Sequence, residues 1–235
     1  MNIVDAVILV IFMIGILAGV RKGAIKSVVS LVGFIVVIVL AYSLKNMVAN
    51  IFYSNLPFFE FKLFKGVFVF NIIFYEILAF LIVAGLLFIL LVAVVKVTGI
   101  IEKLFDKTVI LGLGSRILGA VICFVESYII VFIILFILNQ PFINISYINS
   151  SKLNDQILRT PVLSTLVGEN LDAASELLNL RDLYKNTSDI DEYNYDSLDI
   201  LLKYNIITVD SVKTLQGKNK LNIKNLNKLI TKYGG

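Results

Sequence analysis

The chain has 235 residues, of which 58% are hydrophobic and only 16% charged, with a formal net charge of +4. Soluble domains carry a charged fraction of about a quarter, so this composition predicts a protein largely surrounded by lipid. The absence of histidine and the single cysteine, Cys123, exclude an intrachain disulfide and argue against a zinc site. We expect no metal or other cofactor, and a lipid bilayer rather than a nucleic acid as the main partner.

Two long apolar runs near the amino terminus predict the first two membrane spans. They cover residues 3–20 and 27–44. Each is about 18 residues long, the lower end of what crosses about 30 Å of hydrocarbon as a helix. Arg21, Lys22 and Lys26 follow the first run, whereas a secretory signal peptide carries its cations before the apolar segment. The first run is therefore expected to stay in the mature protein.

Two further apolar runs, residues 77–95 and 117–138, predict the third and fourth spans. Both are too long and too uniformly apolar for ordinary core helices. Between the second and third spans, the Phe-rich stretch 58–68 fits a short interfacial helix or a plain apolar loop. The sequence thus predicts an all-α polytopic membrane protein, with a four-helix membrane domain over residues 1–140. A C-terminal soluble, mainly helical tail follows over residues 141–235.

Cations collect in two of the short loops between these spans. The first loop holds Arg21, Lys22 and Lys26, and the loop between the third and fourth spans includes Lys96 and Arg116. Because cations in short loops favour the cytoplasmic side, these residues are predicted to be topology anchors. Both termini and the tail are then expected outside. The loop after the second span also carries lysines, which reduces the contrast between the two sides.

Small residues recur at four-residue steps in the first and fourth spans. They are Gly15, Gly19 and Gly23 in the first span and Gly119, Cys123 and Ser127 in the fourth. This spacing places each set on one stripe of a helix, where missing side chains allow a second backbone to approach closely. We expect these two spans to pack on each other or on a second copy. The alternative is that glycine is simply common in membrane helices.

Glu126 lies well inside the fourth span. Only residues 127–138 follow it before the polar segment, and these rise about 18 Å, too little to cross the bilayer. The carboxyl group should therefore be protonated, hydrogen-bonded or next to water. It is either a proton- or ion-handling site or a neutral packing residue. Asn71 and Glu76 are weaker cases, because they reach the outer interface if the third span begins near Ile77.

The tail after Pro141 is predicted to contain short helices. Residues 151–180 carry apolar residues at loosely helical spacing, interrupted by Pro161 and Gly168, which predicts two amphipathic helices. The acidic, turn-rich stretch 186–196 predicts a solvated linker. Farther on, the segments "SLDILLKYN" and "IKNLNKLITKY" predict a pair of helices with a connection between them.

The carboxyl-terminal end of the chain is basic. Its lysines are Lys213, Lys218, Lys220, Lys224, Lys228 and Lys232. Binding to an anionic lipid or a wall polymer is one interpretation, and a solvated lysine-rich helix face is the more common one.

Several of these features together resemble the CvpA family, the colicin V production proteins of bacterial inner membranes. The likeness is carried by Asp5, by "GVRKG" at 19–23 and by "RILGAVICFVES" at 116–127, and it covers roughly residues 1–138. Two positions of the last motif hold cysteine and serine where glycines are usual. The resemblance implies a four-span membrane protein linked to colicin V export or production and to envelope maintenance, with no established catalytic residues.

The leading functional hypothesis is a non-enzymatic scaffold or accessory protein for toxin production, secretion and cell-envelope homeostasis. Its expected location is the bacterial cytoplasmic membrane, and its expected partners are further copies of the chain or other envelope proteins. The alternative is a small oligomeric channel or a proton-coupled transporter that uses Glu126. An intramembrane enzyme is less favoured, because the sequence contains no recognisable nucleophile–base pair or metal-ligand set.

Overall fold

The computed structural model describes residues 2–59, 67–105, 113–139, 151–161, 163, 168–184 and 189–234. Within these residues the chain is all-α and contains no β-strand. The four long helices are α1 (Ile3–Lys22), α2 (Ala24–Asn55), α3 (Val69–Phe105) and α4 (Leu113–Leu138). The shorter helices are α5 (Lys152–Leu158), α6 (Gly168–Tyr184), α7 (Ile190–Lys203), α8 (Val209–Gly217) and α9 (Leu226–Gly234).

All four long helices are long and apolar enough to cross a membrane, and each contains an 18-residue stretch whose mean hydropathy lies between 2.6 and 3.3. Their outward faces carry large apolar side chains, such as Met13, Val39 and Leu86, which are more than half exposed. Such surfaces are stable in hydrocarbon and unfavourable in water. The prediction of an all-α membrane protein with four spans is confirmed.

Two predicted spans are much shorter than the helices that contain them. The second, 27–44, lies inside α2, and the third, 77–95, lies inside α3. The apolar run ends near residue 44, but the stripe of buried residues on α2 continues beyond it. This stripe continues at four-residue steps through Ala41, Lys45, Ala49 and Tyr53, all of which are buried. A polar residue on a buried stripe interrupts hydropathy without interrupting the helix.

The Phe-rich stretch 58–68 is described only at its two ends. Residues 60–66 lie outside the described residues, and the described ends are not helical. The choice between an interfacial helix and a loop therefore stays a prediction for the middle of the stretch.

The chain divides into two compact units. The first comprises Met1–Ala41 and Ala84–Ser164, and the second comprises Tyr42–Val83 and Thr165–Gly235. Helices α2 and α3 contribute residues to both units. Each unit combines residues from before and after position 140. The division of the chain into a membrane domain over residues 1–140 and a tail over residues 141–235 stays a prediction.

The first unit is built around α1 and α4, which pack along each other, with α5 in contact with both. The parts of α2 and α3 in this unit pack through Phe34, Val37 and Leu91, which form a buried cluster. Ile130 and Ile133 of α4 lie against the cluster. Interdigitated aliphatic side chains of this kind give the helices close packing over several turns.

In the second unit, the described part of the acidic stretch 186–196, residues 189–196, is not the solvated linker that its composition predicts. Within its described part, α7 begins at Ile190, and the Asp189 side chain accepts a hydrogen bond from the backbone N–H of Glu192 at 3.1 Å. Acidic side chains favour a helix amino terminus, and the apolar residues that follow, including Leu198, are buried in the unit. The acidic cluster is therefore the beginning of a helix.

The connection predicted between the last two helices contains a further helix, α8. Its amino terminus is capped by Thr208, whose hydroxyl oxygen accepts from the backbone N–H of Ser211 at 3.2 Å. Val212 and Leu215 are fully buried. The two helices predicted within 151–180 are present as α5 and α6.

Candidate functional site

The small-residue seam, formed by Gly15, Gly19, Gly23, Gly119, Cys123 and Ser127, lies where α1 meets α4. A Cβ atom added to Gly15 would overlap the side chain of Ser127. A Cβ added to Gly19 would overlap the backbone carbonyl group of Gly119 and lie 2.8 Å from the Cα of Ala120. Side chains can turn away from a clash, but a packed backbone cannot. At Gly19 the crossing therefore leaves no room for a side chain.

Gly23 is the single residue between α1 and α2. Its φ of 76° lies in the left-handed region, which disfavours residues with a side chain. The Gly23 N–H bonds to the carbonyl of Gly19 at 3.0 Å, and the next N–H, that of Ala24, donates to the Ser115 hydroxyl at 2.9 Å. This glycine thus ends α1 and lets α2 begin at once.

The predicted topology anchors lie within helices rather than in open loops. Arg21 and Lys22 are in the last turn of α1, where cations interact favourably with the helix dipole, and Lys26 is in α2. Lys96 and Arg116 are exposed on α3 and α4. Their role in setting the orientation stays a prediction.

Glu126 is buried between helices, with 7% of its surface exposed. Its carboxyl accepts a hydrogen bond from the Ser30 hydroxyl at 2.9 Å, and the Cys123 thiol lies 4.0 Å from its other oxygen. The same thiol is 3.3 Å from the Ser27 hydroxyl. The ammonium group of Lys22 lies 3.4 Å from the Ser30 oxygen, so a single hydroxyl stands between Glu126 and a cation. This geometry fits either interpretation of Glu126.

Asp5, an acidic residue at the start of α1, is buried and ties α1 to α5. Its carboxylate accepts hydrogen bonds from the hydroxyl of Ser151 at 2.5 Å and from the backbone N–H of Leu153 at 3.3 Å. It also accepts from the N–H of Asn2 at 3.1 Å, which satisfies a backbone donor at the helix start. A charged group at this position therefore fixes two helices at once.

A further buried polar group, the Lys45–Glu76 cluster, consists of Lys45, Tyr53, Glu76 and the backbone carbonyl of Ile206. The Lys45 ammonium lies 2.5 Å from one Glu76 oxygen, and the Tyr53 hydroxyl donates to the other at 2.8 Å. The side chains of the ion pair are only 6% and 4% exposed. Lys45 also donates to the Ile206 carbonyl at 2.9 Å and to the Asn46 side chain at 3.1 Å. Its three N–H donors thus meet three acceptors.

Two more contacts join the tail to the same ends of α2 and α3. The side-chain oxygen of Asn194 accepts from the backbone N–H of Phe68 at 3.0 Å. Lys220 donates to the carbonyls of Tyr53 and Leu56, both at 2.5 Å, and so satisfies acceptors at the carboxyl end of α2. Burial lowers the pKa of Lys220, and the nearby charge of Lys218 acts in the same direction.

The basic carboxyl-terminal end is partly engaged within the chain. In addition to Lys220, Lys232 pairs with Asp199 at 2.7 Å, and Lys224 lies 3.9 Å from Asp191. The other lysines of this end, Lys213, Lys218 and Lys228, are exposed. Binding of these residues to an anionic lipid or a wall polymer stays a prediction.

Sequence reasoning missed the Lys45–Glu76 cluster. The sequence pattern places Lys45 in the loop after the second span, and Glu76 at the outer interface if the third span begins near Ile77. In the structure α3 begins earlier, at Val69, and both Glu76 and Asn71 are buried. Two features of the sequence could have indicated the cluster. Lys45 is spaced four residues from Ala41 and Ala49, as on one face of a helix, and the opposite charge of Glu76 lies early in the next helix.

Within the described part of the chain, no group of three or more acidic or cysteine side chains could hold a metal ion. The polar groups described above are instead bonded to one another. Their arrangement can hold helices together, and at Glu126 it can also hold a proton.

Comparison with known protein families identifies a match. The family described as Colicin V production protein matches residues 4–160. The matched region contains α5 and all four long helices except the first residue of α1, whereas α6 to α9 lie beyond it. No curated protein and no solved structure matches the chain.

Proposed function

Because the chain belongs to the family of colicin V production proteins, we propose that it is a non-enzymatic scaffold or accessory protein of the bacterial cytoplasmic membrane. In this role it supports toxin production, secretion and cell-envelope homeostasis. The observation that carries the proposal is the crossing of α1 and α4, where the backbones of Gly19 and Gly119 are in direct contact. Close backbone packing holds two spans in a fixed arrangement and leaves no path between them at that point.

The Lys45–Glu76 cluster supports the same conclusion. A catalytic or transport site needs a polar group that is available to a substrate, whereas the three donors of Lys45 and both oxygens of Glu76 are engaged within the protein. The expected partners of a scaffold are further copies of the chain or other envelope proteins. The exposed lysines of the tail add a surface for anionic lipid or wall polymer.

The Glu126→Gln variant tests this function against transport. Glutamine keeps the shape of the side chain and can still accept a hydrogen bond from Ser30, but it cannot ionise. We expect the variant to accumulate normally, keep its thermal stability and restore envelope-stress resistance to a deletion strain. The measurements are membrane abundance, thermal unfolding and complementation.

A stable and abundant Glu126→Gln variant that cannot complement would overturn the scaffold proposal. The buried carboxyl would then have to exchange a proton or bind a cation, and a channel or proton-coupled transporter would become the better proposal. Flux across liposomes containing either form of the protein provides the direct check.

The orientation is tested by thiol labelling in cells. A cysteine at Ser188 in a Cys123→Ala background should react with an impermeant reagent in intact cells, because the tail is proposed to lie outside. The matched control is a cysteine at Gly114, where an added Cβ meets nothing within 4 Å. It should react only after the membrane is opened. Reversal of this pattern would invert the proposed topology.

A further inference from the structure

The packing of apolar helices does not by itself require the Lys45–Glu76 cluster. Removing two charges from water is costly, and buried ion pairs are often no more stabilising than apolar side chains of similar size. Its two charged side chains are nevertheless buried, on neighbouring helices that are otherwise rich in apolar residues. Such a pair calls for a role other than stability.

The cluster is completed by the tail. Glu76 and Asn46 take two of the donors on Lys45, and the third acceptor is the backbone carbonyl of Ile206 in the turn after α7. If this carbonyl were absent, a buried ammonium group would keep an unsatisfied N–H, which is unfavourable in an apolar environment. The tail therefore supplies what the two membrane helices lack.

The turn after α7 is shaped to present this carbonyl. Asn205 has a φ of 52°, in the left-handed region, and the N–H of Ile206 bonds back to the carbonyl of Leu201 at 2.9 Å. This is the usual geometry of a helix carboxyl end, and it reverses the chain immediately after the helix. The next side chain, that of Ile207, is buried with 1% exposed. The acceptor is thus held by a defined turn.

Independent contacts point to the same docked arrangement. Asn194 on α7 accepts from the backbone of Phe68, and Lys220 after α8 donates to carbonyls of α2. The contacts come from three separate places in the tail. Their agreement indicates that α7 to α9 dock as a group.

We propose that Lys45 and Glu76 form a docking site for helices α7 to α9, with a backbone carbonyl as its ligand. Glu76 and Tyr53 orient the ammonium group, and Lys45 binds the carbonyl of Ile206. Helices α7 to α9 are then bound to the ends of α2 and α3 within the second unit, rather than attached to them only through the chain. Its docking or release changes the environment of two residues on membrane helices.

The test is hydrogen exchange of the full-length protein in nanodiscs. In the double variant Lys45→Met with Glu76→Met, no charge is left alone in the membrane helices, so the spans should still fold. The carbonyl of Ile206 nevertheless loses its donor. We expect amides of residues 206–217 to exchange about tenfold faster than in the wild type, because a hydrogen bond to a charged group is lost. Amides of α1 and α4 should be unchanged.

Glu126→Gln is the matched control, because it removes a buried carboxylate in the other unit. It should leave exchange of residues 206–217 unchanged. If the double variant accumulates poorly, Tyr53→Phe keeps both charges and removes one hydrogen bond from Glu76, and a smaller increase of a few-fold is expected. The docking site would be overturned if residues 206–217 of the measured variant exchanged at the wild-type rate. It would also be overturned if Glu126→Gln accelerated their exchange by the same factor.

Discussion

The Gly19→Leu variant is expected to lose much of its thermal stability or fail to accumulate in the membrane. An added Cβ at this position would overlap the carbonyl group of Gly119 and reach the Cα of Ala120 at 2.8 Å. Leucine would therefore push α1 away from α4 along their contact. Overpacking typically costs about 1–3 kcal/mol, and a clash with backbone belongs at the upper end of that range. The measurement is thermal unfolding in detergent, with membrane abundance recorded in parallel.

Gly85→Leu is the control for this experiment. Gly85 lies in the apolar part of α3, and an added Cβ there meets nothing within 4 Å. The same substitution should therefore be tolerated, since it only adds an apolar side chain to an open face. If Gly19→Leu were as stable as Gly85→Leu, the small-residue seam would have no role in packing.

The Lys45→Met variant is expected to be strongly destabilised. It leaves Glu76 buried, with 4% of its side chain exposed, and without its cation. Removing one partner of a buried pair typically costs about 3–5 kcal/mol. The double variant Lys45→Met with Glu76→Met should recover most of this loss, because both charges are removed together. Thermal unfolding of the two variants gives the comparison.

An exposed ion pair in the same unit provides the reference for this second experiment. Asp199→Asn removes the negative charge of the pair with Lys232, whose side chain is 56% exposed. Surface pairs contribute about 0–1 kcal/mol, so this change should be nearly neutral. If Lys45→Met were as stable as the double variant, the buried ion pair would be contradicted. Leaving Glu76 without its cation would then have no measurable cost.

The membrane spans were predictable because a lipid environment requires a particular kind of sequence. A helix that crosses hydrocarbon needs a long apolar run, and residues 3–20 and 117–138 meet that demand within a few positions of the ends of α1 and α4. The ends of α2 and α3 that lie in the second unit were not predictable in this way. They continue because Lys45 and Glu76 satisfy each other, which depends on tertiary contact.

The same distinction separates the small-residue seam from the Lys45–Glu76 cluster. The spacing of Gly15 and Gly19 is a property of one helix, so it can be read from sequence alone. The Lys45–Glu76 cluster joins two helices and a backbone carbonyl of the distant Ile206, and a backbone group carries no signature in the sequence. For α7, helix capping by Asp189 outweighed the turn-like composition around it.

The one-residue link between α1 and α2 makes the chain sensitive to insertion at this point. Gly23 leaves no slack, so one extra residue added to the beginning of α2 would rotate the helix by about 100° relative to α1. Ser27 and Ser30 would then turn away from Cys123 and Glu126, which they contact now. The rotation of α2 about its own axis is thus set by the length of the one-residue link at Gly23. The hydrogen bond between Ser30 and Glu126 depends on that length in turn.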